Sequence, residues 1–319
     1  SYIGKGDFWS ASVGRGKYEI GSNIGGSIIL NDDCNDYGYF SNKFIFKELY
    51  ISFLHATLIP DSTSYEDEKE YTDKFLVVHK IGWTPNNNFE LFLGEEVIYG
   101  NRNIEVSYLL PLTFWRATEH NLADRDNVLI FAGMNWKPIN KNLIYFNFIL
   151  DELRKSEIFG DWWGNKYALQ MGNSYTFDQQ RNLKLSLEFT AIRPWVYTHK
   201  ILHNKFSHDD IGLGFPDGSN LIQFAGEFNF DIQKNLNFNI NSSFTRQGSL
   251  GNNFSINYND RPSDKAEWLE GDITNRLSIC PVITWQPLAH HRLKVGLTSI
   301  QIEEEDMENE IFISYQAIY

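Results

Sequence analysis

The chain has 319 residues and a formal net charge of −13; 42% of its residues are hydrophobic and 15% aromatic. That acidity excludes the basic surface on which nucleic-acid binding depends. No apolar run of about 18 residues exists, which excludes a transmembrane helix but not a spanning β-barrel, whose hydrophobicity is hidden in alternation.

From the N-terminus onward, apolar and polar residues alternate with a period of two, and the alternation restarts every ten to twenty residues. Successive strand side chains point to opposite faces, so each such run predicts a strand. The runs fall near 8–16, 39–46, 49–59, 73–83, 88–99, 127–136, 143–153, 166–177, 183–198, 220–231, 236–246, 268–285, 292–302 and 310–319. Leu183, Leu185, Leu187 and Phe189 alternate with Lys184, Ser186, Glu188 and Thr190. Leu236, Phe238 and Ile240 alternate with Asn237, Asn239 and Asn241. The last run ends on an aromatic, Tyr319, with Ile311, Ile313, Tyr315 and Ala317 on its apolar face and Ser314 and Gln316 on the other.

Short polar turns separate alternate pairs of runs: 46–49, 84–88, 137–142, 178–182, 232–235 and 286–292. Longer connections separate the others: 61–72, 100–126, 154–165, 199–218, 247–267 and 303–309. Short turns at one end and long loops at the other mark an antiparallel transmembrane outer-membrane β-barrel, all-β, of about 14 strands in one domain. A large soluble sandwich is the alternative, and it would leave sheet edges that closure removes. Phe, Tyr and Trp would supply the interfacial girdles.

Two connections carry too much apolar content for solvated loops. Residues 100–126 contain Tyr108, Leu109, Leu110, Pro111, Leu112, Phe114 and Trp115; they are expected to fold into the barrel as a partial plug or to cap its mouth. Residues 21–40 contain the apolar stretch 27–32 (SIILND) and are expected to fold inward similarly. Cys34 and Cys280 could pair or stay free.

The matching stretches Gly14-Arg15-Gly16-Lys17 with Gly21, 27–32 (SIILND), 96–102 (EVIYGNR), 108–116 (YLLPLTFWR), 148–152 (FILDE), 162–166 (WWGNK) and 188–199 (EFTAIRPWVYTH) occur in this order. In them the chain resembles the Wzi-like capsule assembly family of outer-membrane proteins, nearest its Bacteroidetes RemB-like branch. The resemblance spans roughly residues 8–200; no stretch of these residues reads as the longer N-terminal region of family members, and the Asn/Gly-rich loop after His199 is only loosely alike. It implies a Gram-negative cell-surface barrel that binds or organises extracellular polysaccharide, lectin-like and without catalysis. In that branch it also implies gliding motility or membership of a larger envelope assembly in motility, secretion or barrel insertion. A transport channel is a further alternative. The implied partners are outer-membrane lipid, lipopolysaccharide, polysaccharide and other envelope proteins; no cofactor is implied.

Charged residues within spanning strands should face the lumen, because the lipid face penalises a cation near the midplane by ~2–4 kcal/mol. Arg15, Glu96, Arg102, Arg116, Asp151, Glu152, Glu188 and Arg193 are therefore expected to form a lumenal polar network. Trp162, Trp163, Trp195 and Tyr197, with Asn165 and His199, lie at long-loop strand ends. They form a candidate glycan platform, with an aromatic girdle as the plainer reading. The acidic runs 66–70 (EDEKE) and 303–310 (EEEDMENE) match no calcium loop and read as solvated loops. His199, His203 and His208 share one loop, and His290-His291 lies in a turn, without zinc-ligand spacing. No catalytic set can be assembled.

Overall fold

The computed structural model describes residues 1–62, 73–110, 113–122, 125–157, 160–303 and 305–317. The acidic run 66–70, Pro111, Leu112, one residue of the second acidic run and the terminal Tyr319 lie outside the described residues.

Seventeen strands are described. The first ten are β1 (Tyr2–Lys5), β2 (Trp9–Gly16), β3 (Tyr37–Phe46), β4 (Leu49–Leu58), β5 (Lys74–Asn86), β6 (Phe89–Gly100), β7 (Asn127–Trp136), β8 (Asn142–Glu152), β9 (Lys166–Asp178) and β10 (Leu183–Ile192). A two-stranded hairpin, β11 (Ser207–His208) with β12 (Ile211–Gly212), lies within the next connection. Then follow β13 (Leu221–Gln233), β14 (Leu236–Gly248), β15 (Ile273–Leu288), β16 (His291–Ile302) and β17 (Glu308–Ala317). All but the hairpin form one 15-stranded antiparallel sheet in chain order. The α-helix found among the described residues is α1 (Trp115–Asn121).

Two expectations change here. There are 15 strands in the sheet rather than about fourteen. The added strand is β1, too short for any periodicity. It turns back at Gly6, whose N–H donates to the Trp9 carbonyl, and pairs with β2. Closure into a barrel is the second. β1 occupies the edge of β2 that would otherwise meet the C-terminal strand, so among the described residues β1 and β17 stand as the two sheet edges with no pairing between them.

The alternation assigns two faces. One carries Tyr39, Leu54, Val78, Phe92, Phe131, Tyr145, Gln170, Glu188, Gln223 and Thr245; it packs against residues 18–36 and 193–220. This is the inner face. Residues 18–36 touch widely separated strands: Ser41 of β3 through the Tyr18 hydroxyl, Asn135 of β7 through Ser22, and Glu188 of β10 through the Ile24 and Gly25 N–H groups. A flat sheet could not bring these to one segment, so the sheet curls around it. Residues 193–220 occupy the interior on the long-loop side: Tyr197 donates to the Ile28 carbonyl at 2.7 Å, and the Asn31 N–H donates to the Leu213 carbonyl. Gly26 sits at φ +106°, with Pro216 where a Cβ would stand, so the two segments meet at a point that only glycine fits.

The outer face exposes Ile81, Leu93, Met171, Leu187, Phe224, Ile283 and Ile313. At its short-turn end lie exposed Phe46, Trp83, Trp136, Phe177, Trp285 and Tyr315, a girdle in the position expected for a membrane interface. An apolar surface of this extent outside, with the polar faces turned inward, inverts the usual soluble pattern.

Residues 100–126 do not plug the curve. Tyr108 and Trp115 cluster with Phe53, Phe75, Val77, Val97, Tyr99 and Val128. Those strand residues share the outward register row pattern of exposed Ile81 and Leu93. The described residues of the segment around Tyr108 and Trp115 therefore lie on the outer face. The segment holding the centre is instead 193–220, whose Val196, Phe206, Leu213 and Phe215 are buried.

Candidate functional site

The expected aromatic platform lies at the long-loop rim, where residues 160–165 meet the connection between β14 and β15. Main-chain bonds tie the two. The Trp163 N–H donates to the Asp264 carbonyl at 3.1 Å and the Ala266 N–H to the Asp161 carbonyl at 2.7 Å. Asn220 pins the far side: its Nδ2 donates to the carbonyls of Leu250 and Glu270, and its Oδ1 accepts from the Glu270 N–H.

The platform residues divide by burial. Trp195 is 3% exposed and Tyr197 2%, so their rings are structural. Both adopt left-handed backbone, φ +69° and +70°, uncommon for aromatics and held only where surroundings impose it. The Trp195 N–H donates to the Gly251 carbonyl, and the Tyr197 N–H to the Asp151 carboxylate at 3.0 Å. Asn165 is buried and donates to the carbonyls of Glu157 and Gly160. His199 is buried too. Trp163 lies between Tyr258, 4.9 Å away, and the Arg261 guanidinium, 4.0 Å over its ring. Trp162 is only half-buried, with Arg154 over its ring at 4.1 Å. The platform therefore reduces to Trp162 as its accessible member.

Beside it a rim cleft of about 330 Å³ is lined by Asp161, Ser263, Lys265, Glu267 and Glu270. Lys265 Nζ lies 2.7 Å from the Asp161 carboxylate. That hydrogen bond holds the Asp161 carboxyl below its usual range and lifts the Lys265 ammonium above its own. The Glu270 carboxylate accepts the Glu267 N–H at 2.7 Å. These residues carry no periodicity that would single them out in the sequence, because they fall in a loop; the signal available there is the acid–base density of 260–272.

The expected lumenal network splits between faces. Glu96, Asp151 and Glu188 face inward. Glu188 accepts the N–H groups of Ile24 and Gly25 at 3.0 and 3.1 Å and the Tyr145 hydroxyl at 2.6 Å. Asp151 pairs with Lys166 at 2.7 Å, and Glu152 reaches the same ammonium at 3.6 Å. Glu96 is fully buried, and neither carboxylate oxygen has a hydrogen bond in the structure. Arg193 sits at the rim between Tyr167 and Trp268, donating to the carbonyls of Asn165 and Ala266. Arg15, Arg102 and Arg116 leave the network. Arg15 is exposed on the outer face in register with Gly38, two residues from Val13. Arg102 and Arg116 belong to the outward-packed 100–126 segment. Their charges are met there by Asp126 and Glu119, which removes the need for a lumen.

A cluster of buried ion pairs joins the inner segments to β5: Lys74 and Lys205 both approach Asp61, at 3.9 and 3.4 Å, and Ser207 donates to it at 2.6 Å. Below the inserted segments, toward the short turns, a polar chamber of about 610 Å³ is lined by Glu19, Lys80, Glu90, Asn135, Lys184 and Glu227. Cys34 and Cys280 are both free. Among the described residues no group of three or more His, Cys, Asp or Glu could hold a metal ion.

No family model matches the chain, and no curated protein matches it in sequence. Solved structures match in fold. One is Wzi of Escherichia coli, described as an outer-membrane protein involved in group 1 capsule assembly and a carbohydrate-binding β-barrel. It is 12% identical, with a TM-score of 0.66, over 98% of this chain and 68% of that chain. OccAB4 of Acinetobacter baumannii is 10% identical with a TM-score of 0.51, over 98% and 72%. OprD of Pseudomonas aeruginosa is 9% identical with a TM-score of 0.50, over 96% and 77%. At such identities the likeness is one of fold.

Proposed function

We propose that this chain is a non-enzymatic, non-conducting barrel of a Gram-negative outer membrane, with its long loops outside the cell, and that it holds surface polysaccharide at the rim cleft beside Trp162. The observation that carries the reading is the filled interior. Residues 18–36 and 193–220 hydrogen-bond to each other and to the inner face, and this argues against a path for solutes. What remains accessible is the rim. The cleft there combines carboxylates, an ammonium and a hydroxyl, groups that pair with sugar hydroxyls, and adjoins the half-buried Trp162, whose indole ring can stack against a sugar's apolar face. Fold likeness to a barrel described as carbohydrate-binding agrees with this reading.

The test is titration of the purified chain with polysaccharide extracted from the cells that make it. Trp162→Ala and Asp161→Asn should each weaken binding about 10-fold, the loss of one stacking or charged contact. Unchanged affinity in both variants would refute the placement.

A second reading, a structural subunit of a larger assembly in motility, secretion or barrel insertion, is favoured by the unpaired sheet edges. Main-chain groups along β1 and β17 need partners in hydrocarbon, and a neighbouring subunit's strand would supply them. Gentle extraction with a stoichiometric envelope protein would support it; a strictly monomeric preparation would count against it.

A further inference from the structure

The outer face of β4–β7 carries a feature that a lipid-facing sheet ordinarily avoids. His79 and Glu95 are directly opposed in register and point outward, with Nε2 3.0 Å from the carboxylate. Trp115 covers them. Its ring stacks on the His79 imidazole at 3.8 Å between centroids and 20° between planes. The same carboxylate accepts the N–H groups of Trp115 and Arg116 at 2.8 and 3.1 Å. The segment is latched again at its other end. Arg102 makes a bidentate pair with Asp126 at 2.9 and 2.7 Å, and the Tyr108 hydroxyl donates to that carboxylate at 2.7 Å. Residues 101–110 and 113–122 are thus docked on the outside of the sheet through buried polar contacts.

Depth follows from the girdle. His79 stands four residues from Trp83, which marks the interface at the short-turn end. At about 3.3 Å per residue and about 40° of strand tilt, that is roughly 10 Å into an apolar band about 25 Å tall. Phe75, also under the segment, lies at roughly 20 Å by the same reckoning. The docked segment therefore overlaps the half of the band nearer the long loops. Its exposed side chains are mainly apolar: Val106 is 69% exposed and Phe114 57%, with Ile104, Leu109 and Leu110 also exposed, while the exposed Asn101 and Asn103 stand at its start. The apolar ones continue the apolar band of the bare strands beside them, Ile81, Leu91 and Leu93.

We propose that residues 101–110 and 113–122 are a lipid-immersed cover: they seal the outward His79–Glu95 pair from hydrocarbon and present Ile104, Val106, Leu110 and Phe114 to acyl chains of the long-loop-side leaflet. The occupant of this surface is lipid, because the surface lies at a depth within the apolar band and carries on, toward the long loops, the exposed apolar row of Ile81, Leu91 and Leu93. The inference rests on the membrane reading above and is independent of any glycan.

Depth measurement tests it. Single cysteines replace Val106, Phe114, Leu93 and Asp264 in the full chain, with Cys34 and Cys280 changed to serine, and each carries a nitroxide. Collision with dissolved oxygen is compared with collision with a water-soluble nickel chelate. The chain is measured in phosphatidylcholine vesicles and in native membrane fragments. Labels at 106 and 114 should behave like the label at 93 in both settings, with oxygen collisions several-fold above those with nickel, while 264 shows the reverse. Nickel access at 106 and 114 comparable to that at 264 overturns the proposal. So does loss of both collision rates in native membranes alone, which assigns the surface to a protein partner. Using two positions separately guards against one variant misfolding. The label at 93 reports whether the barrel is inserted, so a failure of the membrane reading is distinguishable from a failure of the cover.

Discussion

Glu188 is the position at which the occluded interior can be opened with least change elsewhere. Its carboxylate holds the inserted segment 18–36 by two main-chain N–H groups, of Ile24 and Gly25, and is itself steadied by the Tyr145 hydroxyl. Hydrogen bonds to an ionised acceptor contribute about 1.5–3 kcal/mol each, so removing both amide contacts would cost ~3–6 kcal/mol if the donors stayed dry. They do not stay dry: Ile24 and Tyr145 border the polar chamber, from which water can re-enter. A net cost of about 3 kcal/mol for Glu188→Ala is therefore expected. Local opening of the segment should become roughly 100-fold more frequent, at 1.4 kcal/mol per tenfold. Planar-bilayer recording reads this directly. The unaltered chain should be silent, Glu188→Ala should show brief openings, and Glu188→Gln, which retains one acceptor oxygen, should fall between. Steady conductance of the unaltered chain would refute the occluded interior. A Glu188→Ala protein as silent and as resistant to proteolysis within 18–36 as the parent would refute the anchoring role of the carboxylate.

Further outcomes can be checked independently. Trp115→Ala should destabilise by about 3–5 kcal/mol, since it opens a cavity and uncovers the His79–Glu95 pair; the unfolding midpoint in denaturant reads it. Burial pushes the Cys34 thiol up to about 11, so in the folded protein at pH 8 it should resist alkylation and become reactive only on unfolding; two free thiols should then be counted by mass. Burial lowers the pKa of His203 and His208, and His208 Nδ1 accepts the Ile59 N–H in its neutral form. Folded pKa values below the unfolded ones mean that the unfolded state takes up protons first. Stability should therefore hold above about pH 6.5 and decline below it, by up to about 1.4 kcal/mol per pH unit for each histidine until the folded group also titrates. Unfolding midpoints at pH 7.5 and 5.5 measure the decline, and replacing both histidines by Gln should flatten it.

Much of the architecture is written in the period-two pattern. A residue's face in a strand depends only on parity, so Glu188 inward beside Leu187 and Phe189 outward, or the Asn237, Asn239 and Asn241 row inward, follows from local order alone. The short turns are equally local: Lys47 and Asn182 take the left-handed backbone that tight hairpins require. Even the outward acid was present in principle. Glu95 and Glu96 are consecutive in a strand, so one of them had to face outward, and that signal points to a cover on the outer face.

What parity cannot supply is where a connection goes once it leaves its strand. Residues 100–126 and 193–220 are both long and rich in aromatics, yet one docks outside and the other fills the interior. The difference lies in partners far away in sequence: His79 and Glu95 for the first, Asp151, Ile28 and Asp61 for the second. The same holds for Trp195 and Tyr197, whose rings look available at a strand end and are buried because Gly251 and Asp151 fix their backbone. Strand identity and facing are set by each residue's neighbours in the chain. Loop destination, sheet closure and the makeup of the rim cleft are set by contacts that exist only after the sheet has curled.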